Sequence, residues 1–182
     1  MSGHNKWSQI KRQKEVVDAK KSKVFSALTK NIQLEAKKAK GDKNSIGLKT
    51  IIERARAANL PNENINRAIK AATDTSGLTL ETARYEAYGP EGVAIIIETI
   101  TNNKNRTAQE IKHLLVKYGA TLAAPGAAIW AFDAPVGENG IWRPKLIRSV
   151  SDAARVALTE LVAALTGHDD VQTVSLEIEM PK

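Results

Sequence analysis

Apolar residues recur at steps of three and four throughout the first part of this chain and turn to alternation in places only beyond it, and a sequence with two periods must build two kinds of element. Within residues 16–39, Val17, Val24, Phe25, Leu28, Ile32, Ala36 and Ala39 return to one side of a helix, which Gly41-Asp42 ends. Ser45 can cap a second helix whose stripe is Leu48, Ile51, Ile52, Ala55 and Ala58, and Asn59 suits the left-handed position past its end. After Leu60-Pro61, Asn62 can cap a third helix carrying Ile65, Ala68, Ile69 and Ala72 on one face. Three helices with facing stripes predict a bundle over 16–73. Residues 1–15 are too polar to bury much and are expected to form a basic flexible arm. Residues 74–83, opening with Asp74-Thr75-Ser76-Gly77, predict a linker.

Beyond the linker the period falls to two in places. A short strand is predicted over 84–88, a turn at Gly89-Pro90-Glu91-Gly92 and an isoleucine-rich strand over 93–101. A polar loop at 102–105 leads to a helix over 106–118 that buries Ile111, Leu114, Leu115 and Tyr118, with Gly119 as its stop. A strand follows over 127–132, then a loop over 133–150. Ser151-Asp152 starts a helix that buries Ala154, Leu158, Leu161, Val162 and Leu165 up to Gly167. Val171, Val174, Leu176 and Ile178 close the chain as a strand whose alternation slips once. The order predicts an α+β fold, a three-helix bundle followed by a ferredoxin-like α+β domain over 84–182.

Charge divides at the same place. Residues 1–72 hold 17 Lys/Arg against 6 Asp/Glu, a net +11, whereas residues 73–182 hold 10 against 14, a net −4. A partner feels local fields, so the first part is expected to bind a polyanion and the second is not. At about 100° per residue, Lys23, Lys30 and Lys37 fall within roughly 40° of one another on the side of the first helix away from its apolar stripe. Lys20 lies beside this ridge, while Lys21 falls on the apolar side and must snorkel or sit beyond the packed region. The arm adds Lys6, Lys11, Arg12 and Lys14 around Trp7, which can stack on a base or anchor the arm to the bundle. Lys104, Asn105 and Arg106 at a helix start form a second candidate anion site, or an ordinary capped loop. No base-reading motif is present, so backbone and shape recognition is expected.

With no cysteine there is no thiolate metal site, iron–sulfur cluster or cysteine nucleophile. The spacing of His4, His113 and His168 gives no convergence on a metal, no Gly-x-Ser-x-Gly elbow appears, and the turn at 89–92 falls short of both phosphate-binding glycine fingerprints. No apolar run approaches the roughly 18 residues of a membrane span. These features predict a cytoplasmic protein that is not an enzyme, needs no cofactor or metal, avoids membranes and is a monomer.

Five motifs occur in order: Ser2-Gly3-His4-Asn5-Lys6-Trp7, Lys20-Lys21-Ser22-Lys23-Val24-Phe25-Ser26, Ala57-Ala58-Asn59-Leu60-Pro61, Tyr85-Glu86-Ala87-Tyr88-Gly89-Pro90 and Thr101-Asn102-Asn103-Lys104-Asn105-Arg106-Thr107. Together they resemble the YebC/PmpR family over residues 2 to about 133, and His168-Asp169-Asp170-Val171-Gln172-Thr173-Val174 resembles its closing segment. The resemblance implies a non-enzymatic, DNA-binding transcriptional regulator, or a ribosome-associated factor that supports translation. It also implies that the contact surface comprises Lys6, Lys11, Arg12, Lys20, Lys21 and Lys23, with the loop at 102–107 as a second candidate. Family members carry a third domain between the strand ending near Phe132 and the last helix, where this chain has only residues 133–150. A different class of function, a protein–protein adaptor docked through the α+β half, fits the same division of the chain.

Overall fold

The computed structural model describes the backbone of residues 3–74, 79–135 and 141–179, and in the first helix the side chains of Lys14, Val17, Asp18 and those from Lys21 onward. Two units separate, Met1–Gly77 and Leu78–Lys182. In the first, α1 (Gly3–Lys38), α2 (Ile46–Ala57) and α3 (Asn62–Thr73) form a bundle. The backbone expected to be an arm is helical from Gly3. Between Gly3 and Gly41 there is no glycine or proline, and Lys, Arg, Gln and Glu lose little rotamer freedom in a helix, so nothing stops it from starting early. Ser45 caps α2 by accepting the Leu48 N–H at 3.3 Å, and Asn59 takes φ 61°. Asn62 is the first residue of α3, not its cap; Pro61 holds the cap position and the Asn62 side-chain oxygen Oδ1 accepts from Arg56 Nε at 3.3 Å.

Leu28, Ile32 and Ala36 of α1 meet Leu48, Ile51 and Ala55 of α2 and Ile65, Ala68 and Ile69 of α3, with Leu60 between them. Each large side chain buried there stabilises the bundle by about 1.5–3 kcal/mol. Val17 and Val24, which the periodicity assigned to the stripe, are 61% and 49% exposed. α1 has 36 residues against 12 each in its partners, about 54 Å against about 18 Å, so its N-terminal half outruns what they can cover.

The second unit contains β1 (Glu81–Tyr88), β2 (Ala94–Thr101), α4 (Lys104–Lys117), β3 (Thr121–Ala123), β4 (Phe132–Asp133), β5 (Arg143–Pro144), α5 (Asp152–Gly167) and β6 (Val171–Leu176). The main sheet runs β3-β1-β2-β6 with every pair antiparallel. A central hairpin is thus flanked by two strands, each reached through a helix. On one face Ala87, Ile95 and Ile97 pack against Ile111 and Leu115 of α4 and Leu158, Leu161 and Leu165 of α5. On the other, Ala94 and Ile96 lie against Ala128, Ala131, Phe132 and Trp142. β2 is buried on both faces, which is why it reads as a run of isoleucines and not as alternation. α5 comes so close to the sheet that a Cβ on Gly89 would lie 2.7 Å from Leu158 Cδ2 and 3.1 Å from Ile95 Cδ1. The slip in the last strand is a bulge: Glu98 faces Thr173 but Thr99 faces Val171, leaving Gln172 extra.

The strand expected over 127–132 is displaced. The third strand of the main sheet is β3, and only Phe132 and Asp133 are extended, paired with β5 in a separate ribbon after a 3-10 turn at Ile129–Ala131. Glu86 supplies the reason, because its carboxylate accepts the N–H groups of Gly126 at 2.7 Å, Ala128 at 2.7 Å and Ile129 at 2.9 Å. Donors captured by a side chain cannot join a ladder. Part of the expected loop over 133–150 is also structured: β5 lies within it, and Trp142 is buried against the second face of the sheet.

Candidate nucleic-acid interface

Along α1, Lys14, Lys21 and Lys37 are exposed. Lys21 lies on the stretch of α1 where Val17 and Val24 are exposed too, beyond the packed region, with its Nζ 5.5 Å from the Phe25 ring centroid in a cation–π contact. Lys23 and Lys30, expected on the outward ridge, are half-buried. Two helices pack against α1, and together they cover a wider arc than the one stripe counted from the sequence. The side chains of Lys6, Trp7, Lys11, Arg12 and Lys20 lie outside the described residues.

The bundle carries more cationic surface than α1 alone. Lys40, Lys43, Lys49, Arg54, Arg56, Arg67 and Lys70 are all exposed, so the charge spreads over the α1–α2 turn, α2 and α3. Lys40 sits at φ 51° just before Gly41 at φ 83°, which turns the chain and leaves its side chain outside. Lys38 is held by Glu35 at 2.6 Å, and Lys43 donates to Asn66 at 3.3 Å. Angular counting on one helix missed this surface. The run Lys37-Lys38-Ala39-Lys40-Gly41-Asp42-Lys43 was its visible signal.

The loop at 102–107 is tied into its own unit. Asn103 caps α4, its side-chain oxygen accepting from the Arg106 N–H at 3.1 Å, and its own N–H donates to Thr101 Oγ1 at 3.0 Å. The buried Thr107 hydroxyl lies 2.8 Å from Thr101 Oγ1 and 2.7 Å from Asp170 Oδ2. Arg106 donates to that same carboxylate oxygen at 2.8 Å, and this bond holds the guanidinium pKa above its ordinary value. Lys104 pairs with Glu81 at 2.6 Å, while its carbonyl accepts from the Tyr85 hydroxyl at 3.0 Å. Burial, with Asp170 and Glu81 nearby, raises the Tyr85 pKa and keeps that hydroxyl a donor. Of the three residues singled out here, only Asn105 presents its side chain without such a tie; an incoming phosphate would compete with carboxylates for Lys104 and Arg106.

Contrary to expectation from spacing, His168 comes together with Glu110 and Asp170, a ligand atom of each lying within 4.8 Å of the others. Its Nε2 lies 2.9 Å from Glu110 Oε2, and its Nδ1 accepts the Asp170 N–H at 3.1 Å, which leaves the ring proton on Nε2. With Asp170 Oδ2 already taken by Arg106 and Thr107, the group closes as a hydrogen-bond network that ties α4 to the turn before β6. Among the described residues no other group of His, Asp and Glu has the spacing to hold a metal.

Known proteins match both units. The TACO1/YebC protein N-terminal domain matches residues 5–75, and the TACO1/YebC second and third domain matches residues 80–138. A relative in Desulforamulus reducens is 42% identical over 178 residues, covering 94% of this chain and 69% of its own length. The chain belongs to the TACO1/YebC family. A second TACO1/YebC relative, in Thermoanaerobacter pseudethanolicus, is 53% identical over 135 residues, 73% of this chain and 55% of its own. Both bear the name "probable transcriptional regulatory protein". The chain spans about half the length of the first of the curated TACO1/YebC relatives it matches. A conserved hypothetical protein of Aquifex aeolicus, Aq1575, known from its crystal structure, is similar with a TM-score of 0.81 and 26% identity, over 91% of this chain and 93% of that one. No helix among the described residues is long and apolar enough to cross a membrane.

Proposed function

We propose that this TACO1/YebC chain is a non-enzymatic regulator of gene expression that binds nucleic acid through the basic bundle. The observation that carries this reading is the exposed cationic surface spread over α1, the α1–α2 turn, α2 and α3, in a chain whose other part is net negative. Cations on mobile stems meet phosphates without reading bases, so affinity is set by the backbone and by shape. The names of the relatives support duplex DNA as the target. The lack of any base-reading motif supports a folded RNA such as that of the ribosome equally well.

A competition separates the two targets. Labelled protein bound to purified ribosomes is challenged with duplex DNA at physiological salt. Transfer to DNA supports the transcriptional role, and retention at a large excess of DNA supports the ribosomal one. Neutralising Lys21, Lys37 and Lys40 together to Gln should weaken whichever complex forms by about tenfold or more. Unchanged affinity for both targets would overturn the reading.

A further inference from the structure

We propose that the β4–β5 ribbon of the second unit carries a separate contact surface for single-stranded nucleic acid, made by Trp130, Arg143 and Lys145. It belongs to the second unit alone and does not depend on the reading above.

Residues 141–149 hold Arg143, Lys145 and Arg148 and no acidic residue, inside a unit that is net negative. They lie beyond residue 138, where the family match ends. Arg148 is committed to Glu177 at 3.2 Å. Arg143 and Lys145 are exposed and, among the described residues, neither forms an ion pair; Asp133, the ladder partner of Arg143, makes none with it. The Lys145 backbone N–H donates to the Ala131 carbonyl at 2.9 Å, so the main chain at 145 runs beside the residue that follows Trp130.

Trp130 is 59% exposed, yet its indole N–H donates to the Ala127 carbonyl at 2.7 Å. The Tyr88 hydroxyl bonds to that same carbonyl. The ring is thus held at its polar edge while much of its surface stays in water. A fixed aromatic surface on one side of the β4–β5 pairing and unpaired cations on the other, with Leu146 79% exposed just past β5, fit a strand whose bases are unstacked and whose phosphates are within reach. A duplex keeps its bases stacked inside and offers a ring like this nothing to stack on. Charge selects a polyanion, and the aromatic ring selects one with free base faces.

The test uses the full chain and fluorescently labelled oligonucleotides of about 20 nucleotides, oligo-U, oligo-dT and a mixed-sequence duplex, with affinity read by anisotropy. Trp130→Ala and, separately, Arg143→Ala with Lys145→Ala should each weaken single-strand binding about tenfold and change duplex binding by less than about twofold. Trp130→Phe, which can still stack, should recover most of the loss. A stronger effect on oligo-U than on oligo-dT would name RNA as the natural strand, and the reverse would name DNA. Unchanged single-strand affinity in both variants would overturn the proposal, as would equal losses for strand and duplex. So would an acidic, leucine-rich peptide whose binding requires Trp130 when strand binding does not. Neutralising Lys21, Lys37 and Lys40 in the same assay reports on the bundle alone, so failure of either surface is seen separately.

Discussion

Glu86 does most to fix the irregular part of the second unit. Burial works to raise its pKa, but the three N–H donors of Gly126, Ala128 and Ile129, with Arg84 nearby, outweigh that and hold it below the ordinary carboxylate value. A carboxyl whose folded pKa is depressed contributes stability above its unfolded pKa and loses it as pH falls through the folded value. Denaturation midpoints, followed by tryptophan fluorescence, should therefore fall as pH is lowered below about 5, and more steeply than in Glu86→Gln, which has no proton to gain there. At neutral pH Glu86→Gln should cost about 1–3 kcal/mol, because an amide turns an NH2 toward donors that need an acceptor. Glu86 was not legible beforehand: its partners lie 40 or more residues away, and a lone glutamate in a strand carries no local sign of them. Ser45, Asn59 and Ser151 were legible, since a cap or a left-handed turn acts on residues two to five positions away, within the window a periodicity already frames.

The elements with long apolar runs read correctly, and those decided by tertiary competition did not. β2, α4 and α5 carry enough buried isoleucine and leucine to declare themselves. β3 is three residues of ordinary composition, while the more apolar 127–132 loses its strand to Glu86. The outward ridge on α1 read only in part for a related reason: a wheel shows where apolar residues fall on one helix, not how many neighbours cover it, so Lys37 is exposed while Lys23 and Lys30 end half-buried. Gly89 belongs to this scale as well. Its φ is −88°, which any residue accepts, so it is glycine because α5 lies against it. Gly89→Ala should destabilise the unit by about 1–3 kcal/mol, and adding Leu158→Val should return part of that loss in a double-mutant cycle, since the clash is with a leucine methyl. Additive losses from the two changes would show that the close approach is not what constrains position 89.

At the scale of the whole chain, the opposite net charges of residues 1–72 and 73–182 make binding sensitive to salt in a way that counts contacts. If five or six cations of the bundle meet phosphates, the logarithm of duplex affinity should fall against the logarithm of salt concentration with a slope of about −4 to −5. Each cation removed from the contact should lower that slope by about 0.9. A slope near zero would mean that the surface is solvated and idle. The β4–β5 ribbon has another consequence at this scale. By pairing Phe132 with Pro144 and Asp133 with Arg143, it brings the two ends of the intervening segment together at a closed neck. Past such a neck the length of chain hardly matters to the sheet, since doubling a flexible loop costs only about 0.6 kcal/mol. A glycine-serine insert between Pro135 and Ile141 should therefore leave the unfolding midpoint almost unchanged. The ribbon then acts as a clasp, insulating the register of the sheet from whatever length of chain runs between its two strands.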